Sequence, residues 1–117
     1  MSRVLVAAGH DVVSTDLIDR GYGEAGVDFL TQTEGRGRNI ITNPLFKHAE
    51  AFVTKALELA EDGGKVAILC RLAWLEGMGR KQRLFDVTPP ARVWVFSRRL
   101  FMSRGGLITF AWYVWFW

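Results

Sequence analysis

The most regular hydrophobic pattern in the chain lies between residues 46 and 60. Apolar side chains recur there at spacings of three and four, which places them on one face of a helix. These residues are Phe46, Ala49, Phe52, Val53, Ala56, Leu57 and Ala60. Lysine and glutamate residues fall towards the other face, and Gly63-Gly64 follows the pattern. The pattern predicts an amphipathic helix that buries one face and ends before the glycine pair.

Short apolar runs rich in β-branched and aromatic residues predict strands on both sides of this helix. The predicted strands cover residues 11–17, 39–42, 65–70, 92–96 and 107–117, and residues 2–8 indicate the tail of a further helix. Alternation of strands and helices is typical of an α/β fold. The connection between the last two strands is too short for a crossover helix, so we expect a mostly parallel sheet that ends in an antiparallel hairpin.

Length and composition limit the class of protein. With 117 residues, half of them hydrophobic, the chain forms one domain and is not intrinsically disordered. Cys70 is the only cysteine, which excludes a disulfide framework and a cysteine-rich zinc site within one chain. The longest apolar stretch, residues 107–117, is shorter than the ~20 residues of a transmembrane helix, and the N-terminal apolar run is too short for a secretory signal. We therefore expect a cytoplasmic protein without a membrane span.

The net charge of +3 is unevenly distributed along the chain. Residues 1–62 carry six basic and ten acidic side chains, whereas residues 63–117 carry nine basic and two acidic ones. Such an asymmetry indicates that one end of the fold meets an anionic partner, although a solvated surface with chance clustering would also produce it.

The sharpest local motif is Asn43-Pro44-Leu45-Phe46, at the end of a predicted buried strand and the start of the long helix. In open α/β sheets, ligands bind at that edge. The Asn43 amide and the Pro44 carbonyl can each accept a hydrogen bond from an exocyclic amino group, and the Phe46 ring can stack on a base. The alternative interpretation is a strand-to-helix turn in which Asn43 caps the helix and Phe46 is the first core residue.

This motif resembles the Asp/Asn/Ser-Pro-Pro-aromatic tetrapeptide of the class I S-adenosylmethionine-dependent methyltransferases. The likeness is to the DNA adenine-N6 enzymes of phages and prophages. The helix, the glycine pair, the strand over residues 65–70, the segment Arg71-Leu72-Ala73-Trp74-Leu75-Glu76-Gly77 and the closing hairpin follow in the family's order. The resemblance covers nearly the whole chain and implies a Rossmann-like methyltransferase sheet.

The resemblance also implies roles for individual residues. Asn43 and Pro44 would orient the target amine and Phe46 would stack on the flipped base. S-adenosylmethionine would be the methyl donor and cofactor. Asp16 would bind its ribose hydroxyls, and Asp28 and Phe29 would contact its adenine. The transfer would be direct, with no covalent intermediate and no metal ion.

Two features depart from the family pattern. Leu45 replaces the second proline, which loses one fixed backbone angle beside the amine. The family's first strand and its glycine-rich turn would lie before residue 2 and are missing from this chain. We therefore expect a single incomplete domain over residues 1–117, weak or inactive as a lone chain. A homo-oligomer or a partner chain is expected to complete the sheet.

If the resemblance holds, the basic half of the chain has a partner in DNA. Its phosphates would contact Arg80, Lys81, Arg83, Arg98 and Arg99, together with Arg104. One alternative is a non-catalytic, phage-derived module for nucleic-acid binding or assembly. A second is an unrelated nucleotide-binding α/β protein that uses Gly21-Tyr22-Gly23-Glu24-Ala25-Gly26, although that loop lacks the following helix that a dinucleotide fingerprint needs.

Overall fold

A computed structural model describes residues 1–102 and 106–117 of the chain. The fold is α/β, with two helices of at least six residues among the described residues: α1, Ser2–Ala7, and α2, Ala49–Leu59. The strands are β1, Ile40–Thr42; β2, Lys65–Arg71; β3, Arg92–Val95; β4, Leu100–Met102; β5, Gly106–Ile108; and β6, Phe110–Phe116. Shorter helical turns cover Phe29–Thr31, Phe46–His48, Leu72–Leu75, Met78–Arg80 and Lys81–Phe85.

Four of these strands form a mixed sheet in the order β1-β2-β6-β3. β1 pairs parallel with β2, whereas β6 pairs antiparallel with both β2 and β3. The expected antiparallel pairing of the last two strands is confirmed, but the expectation of a mostly parallel sheet is wrong. β6 enters between β2 and β3 because a strand with apolar side chains on both faces buries more surface in the middle of a sheet than at its edge.

The predicted strand over residues 107–117 is divided at Thr109. β5 precedes that residue and pairs antiparallel with β4 in a separate two-stranded ribbon. The connection expected over residues 97–106 therefore contains strand structure of its own. Periodicity alone could not reveal this break, because the residues on both sides of Thr109 are apolar.

The predicted strand over residues 11–17 does not join the sheet. Its pairing is limited to an isolated bridge between Thr15 and Glu24. Val13 is 55% exposed and Leu17 is 61% exposed, so this segment lacks the buried face that stabilises a strand. A short apolar run forms a strand only where a neighbouring strand satisfies its backbone, and the described part of the chain provides none here.

The core lies between α2 and one face of the sheet. Val66, Ile68 and Cys70 of β2 alternate with less buried neighbours, as expected of a strand with one covered face. The cross-strand register places Tyr113 beside Ile68 and Trp115 beside Val66. The other core residues are Ala49, Val53, Ala56 and Leu57 of α2, together with Trp74, Leu84 and Ala111. The long helix is thus confirmed, although its first turn, Phe46–His48, is a 3-10 turn.

The opposite face of the sheet is apolar and partly exposed. It presents Ile41, Trp94, Trp112, Val114 and Phe116 by the strand register. Trp94 is 58% exposed and Phe116 is 49% exposed. Both faces of β6 carry aromatic residues. One of these faces is covered by the core, and the other is partly exposed.

Candidate functional site

The motif Asn43-Pro44-Leu45-Phe46 lies beside an open cleft at the carboxyl ends of β1 and β2. The cleft has a volume of about 180 Å³. We call it the motif cleft, and it is lined by Asn43, Pro44, Leu45, Phe46, Cys70, Arg71 and Phe110. Because β1 and β2 are parallel neighbours, the residues that follow both strands meet at one edge of the sheet.

Asn43 does not cap the helix that follows it. Pro44 disfavours helical backbone at Asn43, so helical structure begins only at Phe46. Leu45 and His48 hold the two capping positions, and neither helical end has a side-chain cap. Asn43 is exposed and lines the cleft. The Asn43 amide therefore does not act as the helix cap that the alternative interpretation of the motif predicted.

Phe46 has two roles, because its ring is half-buried against the core and also lines the cleft. The guanidinium carbons of Arg71 and Arg80 each lie 5.5 Å from the centre of this ring. Arg80 is held in place by hydrogen bonds that its Nε donates to the Trp74 carbonyl at 2.9 Å and its Nη2 donates to the Glu76 carbonyl. The ring therefore makes two cation–π contacts within the chain and lies in an electropositive setting.

Cys70 closes the inner wall of the cleft as a neutral thiol. Burial raises the pKa of Cys70 above its usual range. The side chain is 2% exposed, so the thiolate needed for nucleophilic attack is disfavoured at neutral pH. Beside it, the Tyr113 hydroxyl donates a hydrogen bond of 2.9 Å to the Arg71 carbonyl and fixes the carboxyl end of β2.

The three residues expected to hold a cofactor lie outside the motif cleft. Asp16 accepts a hydrogen bond from the Ile18 backbone at 3.3 Å and pairs with the Arg20 Nε at 3.0 Å. Asp28 accepts a hydrogen bond of 3.1 Å from the Leu30 backbone and so begins a 3-10 turn. The Phe29 ring stacks on Phe52 with centres 5.3 Å apart.

These contacts bear on the cofactor that the resemblance implies. S-adenosylmethionine needs carboxylates for its ribose hydroxyls and adenine amine beside an open apolar wall. Asp16 and Asp28 direct oxygens to groups of their own chain, and Phe29 is covered on one side by α2. The Val27 backbone donates a hydrogen bond of 3.0 Å to the Asp16 carbonyl, so Asp16 and Asp28 belong to neighbouring segments, and the role of the three residues in holding that cofactor stays a prediction.

Three of the basic residues expected to contact DNA are engaged within the chain. Arg80 is held as described above, and Lys81 contacts both carboxylate oxygens of Asp86 at 3.0 Å. Arg83 donates two hydrogen bonds, of 2.7 and 2.9 Å, to the Glu50 carboxylate. This contact holds the pKa of Glu50 below its usual range. At neutral pH these side chains already have acceptors, so their expected role in DNA binding stays a prediction.

The remaining basic residues lie elsewhere. Arg98 and Arg99 are exposed, just before β4. Arg104 lies outside the described residues. Arg99 also contributes to a second cleft of about 410 Å³, which we call the arginine cleft. Its lining consists of Arg71, Leu72, Ala73, Glu76, Arg99, Leu107, Ile108 and Thr109.

Arg71 is the residue that the sequence reasoning missed, because it lines both clefts. One signal was present in the sequence. Arg71 is the first residue after the predicted buried strand over residues 65–70, at the strand end where ligands bind in an open α/β sheet. The glycine-rich loop of the second alternative, Gly21 to Gly26, is followed by the turn Phe29–Thr31. It is not followed by the helix that a phosphate-binding loop requires.

Comparison with known proteins finds no matching family model, no matching curated protein and no matching solved structure. Among residues 1–102 and 106–117, histidine, cysteine, aspartate and glutamate side chains form no group of three that could hold a metal ion. No helix in the same residues combines the length and the apolar character needed to cross a bilayer.

Proposed function

We propose that this protein is a DNA adenine-N6 methyltransferase-like protein that binds an amino-bearing nucleobase in the motif cleft. As a single chain it binds without efficient methyl transfer. The observation that carries the proposal is the position of Asn43, Pro44 and Phe46 around one open cleft at the carboxyl edge of two parallel strands.

The chemistry of the cleft supports a planar ligand with an amino group. The Asn43 side-chain oxygen can accept one N–H of that group, and the Pro44 carbonyl can accept the other. Phe46 offers a ring for stacking, and the neutral Cys70 thiol offers an apolar wall. A cleft of about 180 Å³ is smaller than the roughly 300–1,000 Å³ typical of sites for drug-sized ligands, which suits a single base.

The strand order also supports the proposal. In class I methyltransferases, the last strand of the sheet runs antiparallel and lies between the two sheet strands that precede it. β6 has this position between β2 and β3. The motif follows β1, which lies two places from β6 in this order.

Methyl transfer is not part of what these residues provide on their own. The Asp16 and Asp28 carboxylates already accept hydrogen bonds within the chain, and all three residues expected to hold S-adenosylmethionine lie outside the motif cleft. The non-catalytic alternative is favoured to that extent. We expect calorimetry of the lone chain with millimolar S-adenosylmethionine to show no saturable heat.

The proposal includes a second copy of the chain as partner. β1 pairs with β2 alone among the described residues, so its outer edge offers unpaired backbone groups. Two such edges are self-complementary, because a two-fold axis can pair each with the other. A second copy would complete the sheet at the side where the family's first strand would lie.

A nucleoside titration tests the base site. Deoxyinosine has a carbonyl oxygen where deoxyadenosine has the amino group, so it cannot donate to Asn43 and Pro44. We expect the native chain to bind deoxyadenosine more tightly than deoxyinosine. Asn43→Ala should lower deoxyadenosine affinity about fivefold, the value of one hydrogen bond, and leave deoxyinosine affinity unchanged. Backbone amide shifts in NMR spectra would measure both affinities.

Thr54→Ala is the matched control for this titration. Thr54 is an exposed residue of α2 that lines neither cleft, and its hydroxyl bonds the Glu50 carbonyl. This variant should bind both nucleosides as the native chain does. Equal affinity of the native chain for the two nucleosides would contradict the proposed function.

A further inference from the structure

The motif cleft and the arginine cleft adjoin at Arg71. The motif cleft has room for a base, and the arginine cleft, which shares Arg71 with it, adds about 410 Å³. Taken together, the two volumes fall in the range of roughly 300–1,000 Å³ that is typical of small-molecule sites. The pair of clefts therefore has the size of a site for a whole nucleotide.

The arginine cleft has a net positive lining. The residues that line it include two arginines, Arg71 and Arg99, one acidic residue, Glu76, and Thr109. Guanidinium groups match phosphate oxygens with paired N–H donors, and two of them in one concave surface favour an anion with several acceptor oxygens. The cleft thus favours a phosphate group over a neutral ligand.

Arg71 and Arg99 also differ from the other arginines nearby. Arg80 and Arg83 are bound to carbonyl or carboxylate oxygens of the chain. For Arg71 and Arg99, no side-chain hydrogen bond or ion pair occurs within the described residues. Their donors remain for a ligand, and the Tyr113 hydroxyl fixes the backbone of Arg71 through its carbonyl.

We infer that the arginine cleft binds the phosphate of the same nucleotide whose base occupies the motif cleft. Arg71 connects the two parts, because its guanidinium lies beside the Phe46 ring and the residue lines both clefts. The substrate class is then a nucleotide unit of DNA and not a free base. The inference rests on the proposed function, since it takes the motif cleft to hold the base.

The test compares deoxyadenosine, deoxyadenosine monophosphate and inorganic phosphate on the full chain, by NMR titration. We expect the monophosphate to bind at least about tenfold more tightly than the nucleoside, the gain from one charge-assisted contact. Arg71→Gln and Arg99→Gln should each remove most of this gain. Inorganic phosphate alone should compete with the monophosphate and should bind Arg99→Gln more weakly than the native chain.

Lys65→Gln is the matched control. Lys65 and Arg71 are the two exposed ends of β2, and each lies near a phenylalanine ring, Phe116 and Phe46 respectively. Lys65 lines neither cleft. Lys65→Gln therefore removes one positive charge but should keep the full gain in affinity from the phosphate. Arg99 is exposed and outside the core, so its variant separates lost binding from lost folding.

The outcomes distinguish this inference from the proposed function. Deoxyadenosine binding that depends on Asn43, without any gain from the phosphate, would overturn the inference and leave the proposed function in place. An equal loss in Lys65→Gln and Arg71→Gln would show a general charge effect and would also overturn it. Absence of any shift at Asn43 and Phe46 with either ligand would overturn both.

Discussion

The contact between Arg83 and Glu50 shows how a basic residue of a positive cluster is engaged by a carboxylate of its own chain. Arg83 belongs to a positive cluster in the sequence, yet its guanidinium makes a two-point contact with a carboxylate 33 positions away. The same contact holds the pKa of Glu50 below its usual range, chiefly through the hydrogen bond and against the cost of burial. The contact thus joins α2 to the turn Lys81–Phe85 and uses the charge inside the molecule.

The ion pair gives a prediction for pH dependence. A carboxyl group whose pKa is lowered by folding adds stability above its unfolded pKa, and this stability is lost as the pH falls through the folded pKa. We expect Arg83→Gln to melt at a lower temperature than the native chain at pH 7. The difference should shrink as the pH falls below the pKa of an unfolded glutamate, about 4.3, and through the lower pKa of Glu50 in the folded chain. Thermal unfolding followed by circular dichroism at several pH values measures this, and a difference that persists at pH 2 would contradict it.

At the scale of elements, a junction at the amino ends of β1 and β2 joins the two strands at the end opposite the motif cleft. The Asn39 side-chain oxygen accepts a hydrogen bond of 2.9 Å from the Lys65 backbone, and Arg38 donates one of 3.1 Å to the Gly63 carbonyl. Gly64 passes so close to the Arg38 carbonyl oxygen that a Cβ atom at Gly64 would overlap with it. β1 and β2 are therefore joined at their amino ends by backbone proximity as well as by their ladder.

Gly64→Ala is expected to loosen this junction. The added methyl group meets backbone atoms that cannot rotate away, so we predict a loss of about 1–3 kcal/mol in the free energy of unfolding. Denaturant unfolding with a tryptophan signal measures it. Gly37→Ala is the control, because a Cβ at Gly37 would lie 3.7 Å from its nearest backbone neighbour, at an ordinary contact distance. That variant should change the free energy by less than about 1 kcal/mol.

At the scale of the whole molecule, the two ends of the chain contribute unequally to the core. None of residues 1–28, all of them described, is buried, whereas β2 and β6 provide half of the core cluster. Residues 1–28 carry two basic and five acidic side chains and expose Val4, Leu17 and Ile18. The sheet meanwhile leaves the outer edge of β1 and one aromatic face partly open. The unpaired outer edge of β1 favours association of two copies through that edge.

The oligomeric state tests this association. We expect light scattering after size exclusion to give a mass near twice the 13.2 kDa of one chain. Ile41 lies on β1 and is 38% exposed. Ile41→Lys places a charge on that edge, which natural sheets use to block pairing, and should return the mass to that of one chain. Trp94→Lys changes the other edge strand and should leave the mass unchanged if the copies meet at β1. A native mass of one chain at high concentration would contradict the prediction.

Local chemistry explains what could be predicted of this protein. The long helix, the strands around residues 40–42, 65–71 and 92–95, and the motif at residues 43–46 follow from spacing, β-branching and proline, all of which act within a few residues. The position of the motif at a strand end also follows, because the same residues end the strand and delay the helix. The sequence by itself therefore determined these elements and the chemical groups at one edge of the sheet.

Only the tertiary structure decided which elements meet. The insertion of β6 between β2 and β3, the absence of a strand over residues 11–17 and the pairing of Arg83 with Glu50 depend on partners distant in the chain. Arg71 lines two clefts for the same reason, because residues of β5 and of the turn after β2 lie beside it. Burial and hydrogen bonding depend on the neighbours that a segment finds, and a pattern within the segment does not specify which neighbours those are.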